Sequence, residues 1–154
     1  QVDGVRFQAL NDRFILAGRM RAGASQPLGD AADLLPNRRF YAGGYNTMRG
    51  RGRHGLGPTD STGDPRGGQF VALAGVELRF PLFWILAGAV FVDSGQVWRA
   101  SDDVALGTIS GAAGLALDLI TPLGPLRLSY ASNIVNLQEN EPHNQWLLGI
   151  GYPW

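Results

Sequence analysis

From Gly107 to Ile120 the chain alternates between two kinds of residue. Ile109, Gly111, Ala113, Leu115, Leu117 and Leu119 take one parity, and Thr108, Ser110, Ala112, Gly114, Ala116 and Asp118 the other. Successive side chains point to opposite faces in an extended strand, so this period of two predicts a β-strand with one greasy face. Leu126 to Asn133 repeats the pattern, with Leu126, Leu128 and Tyr130 opposing Arg127, Ser129, Ala131 and Asn133. The run from Gln145 to Trp154 sets Trp146, Leu148, Ile150, Tyr152 and Trp154 against Leu147, Gly149 and Gly151. Upstream, Gln69 to Phe80 places Phe70, Ala72, Ala74, Val76, Leu78 and Phe80 against Gln69, Glu77 and Arg79. Trp84 to Trp98 is apolar on both faces until Asp93, and near the start Phe14, Leu16 and Met20 oppose Arg13, Arg19 and Arg21. With a first strand at Val5 to Leu10, these runs predict about seven strands, and no segment shows a helical period.

Turn-forming residues punctuate the runs as hairpins. Pro81-Leu82 is expected to separate two strands, and Thr121-Pro122-Leu123-Gly124-Pro125 two others. Longer connections, Arg99 to Leu106 and Ile134 to Asn144, alternate with these short ones, as in an up-and-down meander with one loop-rich side. Several runs exceed the ~5–6 residues of globular strands and reach the ~9–11 that a tilted strand needs to cross a bilayer.

Composition narrows the class. The chain has 154 residues, 13 basic and 13 acidic side chains, 22 glycines and no cysteine. Every basic residue is arginine. Zero net charge gives no field for nucleic acid, and the lack of cysteine excludes disulfides and thiolate metal sites. The opening residues carry no signal-peptide pattern, and no apolar run approaches the ~18 residues of a spanning helix, so membrane residence would require strands. A soluble sandwich or lipocalin-like barrel also alternates. Three features favour a membrane barrel instead. Aromatic residues (Phe80, Trp84, Trp98, Tyr130, Trp154) mark the greasy face as an interfacial girdle would. The opposite face carries Arg, Asp and Glu, which suit a wet lumen and not a dry core. The chain also stops on an aromatic strand with no polar tail.

Residues 27–68 show no alternation and contain RRFYAGGYNTMRGRGRHGLGPTDSTGDPRGG. Phe40, Tyr41, Tyr45, Met48 and Leu56 offer apolar anchors, so a loop folded into the lumen is expected rather than a disordered one. Six arginines between Arg38 and Arg66 raise the question of nucleic acid, but Asp60, Asp64 and the flanking strands argue against it. Neither His54 nor His143 has a serine or metal-ligand spacing beside it, which leaves no hydrolase pair, metal site or cofactor. GGYNTMRGRG lacks the flanking strand and helix of a phosphate loop. Asp118 and Arg127 share the polar face on adjacent strands, where an ion pair on the lumen wall is expected.

RFYAGGYNTMRG followed by GLGP resembles the inward-folded loop of BamA/TamA-type outer-membrane assembly factors, whose signature is Arg-Phe-(Phe/Tyr)-Ala-Gly-Gly and then Val/Ile-Arg-Gly-(Phe/Tyr). The resemblance continues through GVELRFPL, LAGAVFVDSGQVW, TPLGPLRLSYA and GIGYPW, in order and over nearly the whole chain. Met48 departs mildly from the pattern, and Arg51 stands where the family has an aromatic residue. The resemblance implies an all-β, antiparallel transmembrane β-barrel. Residues 1–154 would be its C-terminal portion, about seven strands of about sixteen, with a long lumen loop at about 27–68. Soluble periplasmic domains would be absent from this chain. The loop motif is carried by Arg39, Phe40, Gly43, Gly44, Met48, Arg49 and Gly50. Arg49 would meet the wall residues Glu77, Phe91 and Asp93, with Asp93 the weightier carboxylate and Arg51 the substitute should the motif be offset by two. A terminal-strand signal is expected from Tyr130, Trp146, Leu148, Ile150, Tyr152 and Trp154.

What the resemblance implies for function is insertion of other proteins into the bacterial outer membrane without covalent chemistry, through a lateral seam and β-augmentation. The implied partners are the lipid bilayer, unfolded outer-membrane protein substrates and accessory assembly subunits, with no nucleic acid and no enzymatic step. A two-partner-type secretion pore and a passive barrel anchor of a secreted enzyme remain the alternatives.

Overall fold

The structure is a computed structural model that describes residues 1–26, 34–122, 124–136 and 142–151. Seven strands form one antiparallel sheet in chain order: β1 (Val2–Ala9), β2 (Ile15–Ala24), β3 (Phe70–Phe83), β4 (Leu86–Trp98), β5 (Ser110–Thr121), β6 (Gly124–Val135) and β7 (Asn144–Ile150). β2 to β6 run 10 to 14 residues. Helical structure among the described residues is confined to three-residue turns, Pro36–Arg38, Ser101–Asp103 and Leu106–Thr108. None is long or apolar enough to cross a membrane.

The alternation sorts the sheet into two unlike faces. On one, Leu115 is 60% and Leu148 78% exposed, and Val76, Val92, Leu117, Leu128, Trp146 and Ile150 stand with them. On the other, Glu77, Asp93, Asp118 and Arg127 are buried, because residues 34–69 fold over that face. This is the reverse of a soluble sandwich, where the apolar face is hidden and charge meets water. A contiguous apolar face of this extent fits contact with lipid, as on the outside of a membrane barrel.

The covering loop builds one of two apolar clusters with the sheet. Ala42, Met48 and Leu56 of the loop pack with Val71, Leu73, Val97 and Ala112 of the sheet, and Phe40 leans on the same group. A second cluster joins Ala89, Phe91, Ala116 and Ala131, with Leu147 against it. The polar face was expected to be wet. Beneath the loop it is dry instead, because the hairpin lies directly on the wall.

Three expectations about the strands need correction. Pro81-Leu82 does not separate strands. β3 continues through Pro81, which pairs with Ala87 beside a register shift, and the reversal falls at Trp84-Ile85. Pro81 lies near the strand end, where a missing N–H is tolerated, and Trp84 takes the left-handed φ of 51° that the tight turn needs. Trp98 is not part of an exposed girdle. It is 7% exposed, and its indole N–H donates to the Thr108 hydroxyl at 2.9 Å. The first strand begins earlier than Val5, at Val2, where it pairs with Ala22. Among the other aromatic residues, Trp84 is 94% exposed in its turn, and Tyr130 packs on Trp146 with ring centroids 4.8 Å apart. Tyr152 and Trp154 lie outside the described residues.

Single cysteines placed at Leu115, Leu117, Leu128 and Ile150 of the membrane-embedded protein should react with a lipid-phase thiol label. Cysteines at Asn46 and Arg53, exposed on the loop, should take an aqueous reagent. The opposite partition would mean that the apolar face is covered by protein.

Candidate functional site: an arginine buried between loop and wall

Arg49 reaches the wall because the loop hairpin is tightly turned and pinned on both sides. The antiparallel bridges Phe40↔Gly68, Ala42↔Leu56 and Gly44↔Met48 draw the loop into narrow rungs. Arg39 braces its base, Nε donating to the Leu34 carbonyl at 2.9 Å and Nη1 to the Arg66 carbonyl at 3.1 Å. The Gly43 N–H donates to the Thr47 hydroxyl at 2.8 Å. Met48 is fully buried in the core beneath. Gly50 follows Arg49 with φ of +97°, a left-handed conformation that L side chains rarely adopt. A Cβ there would also stand 2.8 Å from the Ala112 methyl.

The guanidinium then makes a fork to two strands. Nε donates to Asp93 Oδ2 at 2.7 Å and Nη2 to Asp93 Oδ1 at 2.9 Å, a bidentate pair. The Arg49 backbone N–H adds a bond to the same carboxylate at 3.1 Å. Nη1 donates to Glu77 Oε2 at 2.5 Å. The plane of the cation rests on Phe91, with Cζ 3.5 Å from the ring centroid, a cation–π contact strengthened where water is excluded. Arg49, Glu77 and Asp93 are all fully buried. Burial opposes the charge on Arg49, but the hydrogen bonds and charges of Asp93 and then Glu77 outweigh it and raise its pKa above the ordinary value. It stays a cation.

The strand register explains this geometry. Glu77 pairs with Phe91 across β3 and β4, and Asp93 pairs with Gly75. Gly75 leaves the floor beside Asp93 vacant, since a Cβ there would stand 2.7 Å from Asp93 Oδ1.

Glu77 is not the lesser partner, as expected, but the hub. It also accepts from Arg127 Nη1 at 2.8 and 2.9 Å and from Arg79 Nε at 2.6 Å. Arg127 closes a second fork on Asp118 at 2.5 and 2.6 Å. Asp93, Arg49, Glu77, Arg127 and Asp118 thus form an alternating chain of charge across β3 to β6. Arg51 turns elsewhere, donating to the Ser110 hydroxyl at 2.8 Å and to the Asn136 carbonyl, so it does not substitute for Arg49. The Asn133 side-chain amide donates to the Gly50 carbonyl at 2.6 Å. Arg79 and Asn133 carried a signal in their parity, which matches that of Glu77 and Arg127. Tyr130, Trp146, Leu148 and Ile150 gather on the open face, on the far side of the sheet from Arg49. Among the described residues no cluster of His, Cys, Asp and Glu is placed to hold a metal ion.

The Omp85 superfamily domain matches residues 1–154. The chain belongs to that superfamily. This Omp85 chain is 30% identical over 155 residues to the outer membrane protein assembly factor BamA of Nitratidesulfovibrio vulgaris (strain Hildenborough), a match covering 91% of the chain. It spans 18% of that relative's length. Its fold is that of BamA from Haemophilus ducreyi, in a crystal structure lacking POTRA domains 1–3, with a TM-score of 0.76 at 22% identity. That likeness covers 94% of this chain and 33% of the other. The Omp85 chain is accordingly integral to the bacterial outer membrane, with the β-barrel type of fold.

Removing one member of a buried ion pair costs about 3–5 kcal/mol, because the partner charge is stranded. Arg49→Ala should therefore release the hairpin, read as faster amide exchange from Met48 to Leu56. Glu77→Ala should be at least as severe as Asp93→Ala, since it leaves three arginines facing one another. Arg49→Lys should recover little, because a point charge cannot span both carboxylates. Strictly additive effects of Arg49→Ala and Asp93→Ala in a double-mutant cycle would show that the pair does not act together.

Proposed function

We propose that the full-length protein containing this chain folds and inserts other proteins into the outer membrane without covalent chemistry. The observation that carries this reading is the wholly buried Arg49 fork, which holds a family-specific loop against β3 and β4 of the barrel wall. The relative from Nitratidesulfovibrio vulgaris is itself an outer membrane protein assembly factor, and membership of the same superfamily supports the same role.

In this reading β7 is one side of a lateral seam. Among the described residues it is the shortest strand, at 7 residues, and pairs with β6 alone. Its Gly149 offers no side chain of its own to pack against neighbouring strands. A strand with a free edge offers a row of backbone donors and acceptors, and an incoming unfolded strand can pair with them by β-augmentation. Lipid supplies no hydrogen bonds, so such an edge must be paired whenever no substrate occupies it. The loop–wall network keeps the barrel wall beside the seam rigid while β7 gives way. Substrates are unfolded outer-membrane proteins, accessory subunits assist outside the residues seen here, and no enzymatic step is involved. The open-face set of Tyr130, Trp146, Leu148 and Ile150, with Tyr152 and Trp154 beyond the described residues, would serve as the signal by which this chain is itself recognised.

The test is reconstitution of the full-length protein in lipid vesicles with an unfolded outer-membrane barrel as substrate. Folding of the substrate should be accelerated, and a disulfide locking β7 to the strand it meets in the closed barrel should abolish the acceleration until reductant is added. Undiminished activity of the locked protein would rule out the seam. Transport of a soluble protein across the vesicle wall, with no effect on barrel folding, would favour a secretion pore.

A further inference from the structure

The loop touches β7 as well as the wall. The Tyr45 hydroxyl donates to the Gly151 carbonyl at 2.6 Å, linking residues 106 apart in sequence. Its ring lies flat on Gly149, where an added Cβ would stand 2.7 Å from both Cε atoms. Any other residue at 149 would expel the ring. Gly151 in turn donates its N–H to the Pro125 carbonyl at 2.7 Å and has φ of +84°, so its carbonyl is presented by a special backbone turn. A second tie lies further along the strand. With its amide oriented to satisfy both groups, Gln145 donates to the Arg51 carbonyl and accepts from the Gly52 N–H, each at 3.2 Å. Burial pushes the Tyr45 phenol up, so it remains a donor at neutral pH.

We propose that Tyr45 is a latch on the terminal strand: its ring, seated in the notch left by Gly149, and its hydroxyl, bonded to Gly151, hold β7 against the barrel. The proposal rests on the reading of β7 as one side of the seam. It adds that seam opening is coupled to movement of the hairpin tip, while Arg49 stays docked on Asp93 and Glu77. Geometry favours this division. The Arg49 fork is fully buried and multiply paired, whereas Tyr45 is half-buried, borders an open pocket with Asn46, Thr47 and Arg53, and contributes one neutral hydrogen bond. The weaker contact is the one able to release.

The experiment uses the full-length protein in vesicles, with amide exchange resolved along the strands. Tyr45→Ala and Gly149→Ala should each speed exchange at Leu147 to Gly151 by roughly tenfold, the loss expected from one neutral hydrogen bond and its packing. Amides joining β5 to β6, and those from Met48 to Gly50, should keep their wild-type rates. Tyr45→Phe, which retains the ring, should fall between. Wild-type exchange at β7 in both alanine variants overturns the latch, as does equal acceleration over the whole hairpin, which would mean general loosening. The seam reading fails separately. If the disulfide-locked protein inserts substrate at full rate while Tyr45→Ala still loosens β7, the latch stands without the seam. If the lock blocks insertion and β7 ignores both alanine variants, the seam stands without the latch.

Discussion

A guanidinium taken out of water loses several kcal/mol of hydration, and only close, well-aligned carboxylates restore it. Much of this molecule is arranged around that demand at Arg49. Asp93 accepts two side-chain bonds and one backbone bond from it, and Glu77 takes the remaining arm. Two anions beside one cation would leave an excess of negative charge. Arg127 and Arg79 balance it from the far side of Glu77, and Asp118 then completes Arg127. Each charge in the chain is thus held by opposite charge on both sides, save the ends. Such an arrangement is intolerant of deletion, because each lost member strands a buried charge. It ties four strands and a loop to the position of one side chain.

The same demand explains why the chain is inside out. A soluble domain hides apolar surface and exposes charge, whereas here Leu115 and Leu148 face outward and the ion chain is covered. Lipid accepts the first face at no cost in hydrogen bonds. The second face needs a lid of protein, and residues 34–69 provide it, with Met48 and Leu56 as the apolar part of the contact. The loop therefore substitutes for the hydrophobic interior that a single sheet cannot build. It also sets which part of the wall can remain rigid when another part moves.

The strands were legible because a period of two writes burial directly into the sequence. Leu115 and Asp118 could be assigned to opposite faces without any knowledge of pairing. Arg49 and its carboxylates were legible for a different reason, the motif around Gly43, Gly44 and Gly50, since no periodicity links a loop to strands 28 and 44 residues away. Where neither signal operates, reading stopped short. The turn at Trp84 was misplaced onto Pro81, because proline usually breaks a strand but is tolerated near its end. Trp98 looked like an interfacial aromatic because its parity was right, while the turn that ties it down follows ten residues later. The convergence of three arginines on Glu77 depends on register across four strands, and Tyr45 finds Gly149 only once the loop has folded.

The loop's neck has a consequence for how the protein comes apart. Phe40 and Gly68 exchange backbone hydrogen bonds of 2.8 and 2.9 Å, and Ala42 bridges Leu56 one rung further in. Between these two rungs a side turn from Thr59 to Pro65 has an exposed tip built on the Asp60 carboxylate, which accepts the backbone N–H groups of Thr62 and Asp64 at 2.9 Å each. A protease that cleaves this tip cuts the covalent chain without freeing either half. The N-terminal half remains riveted to the wall through Arg49, and the C-terminal half runs straight into β3. The nicked protein would keep its shape and travel as one particle, separating into two polypeptides only when denatured.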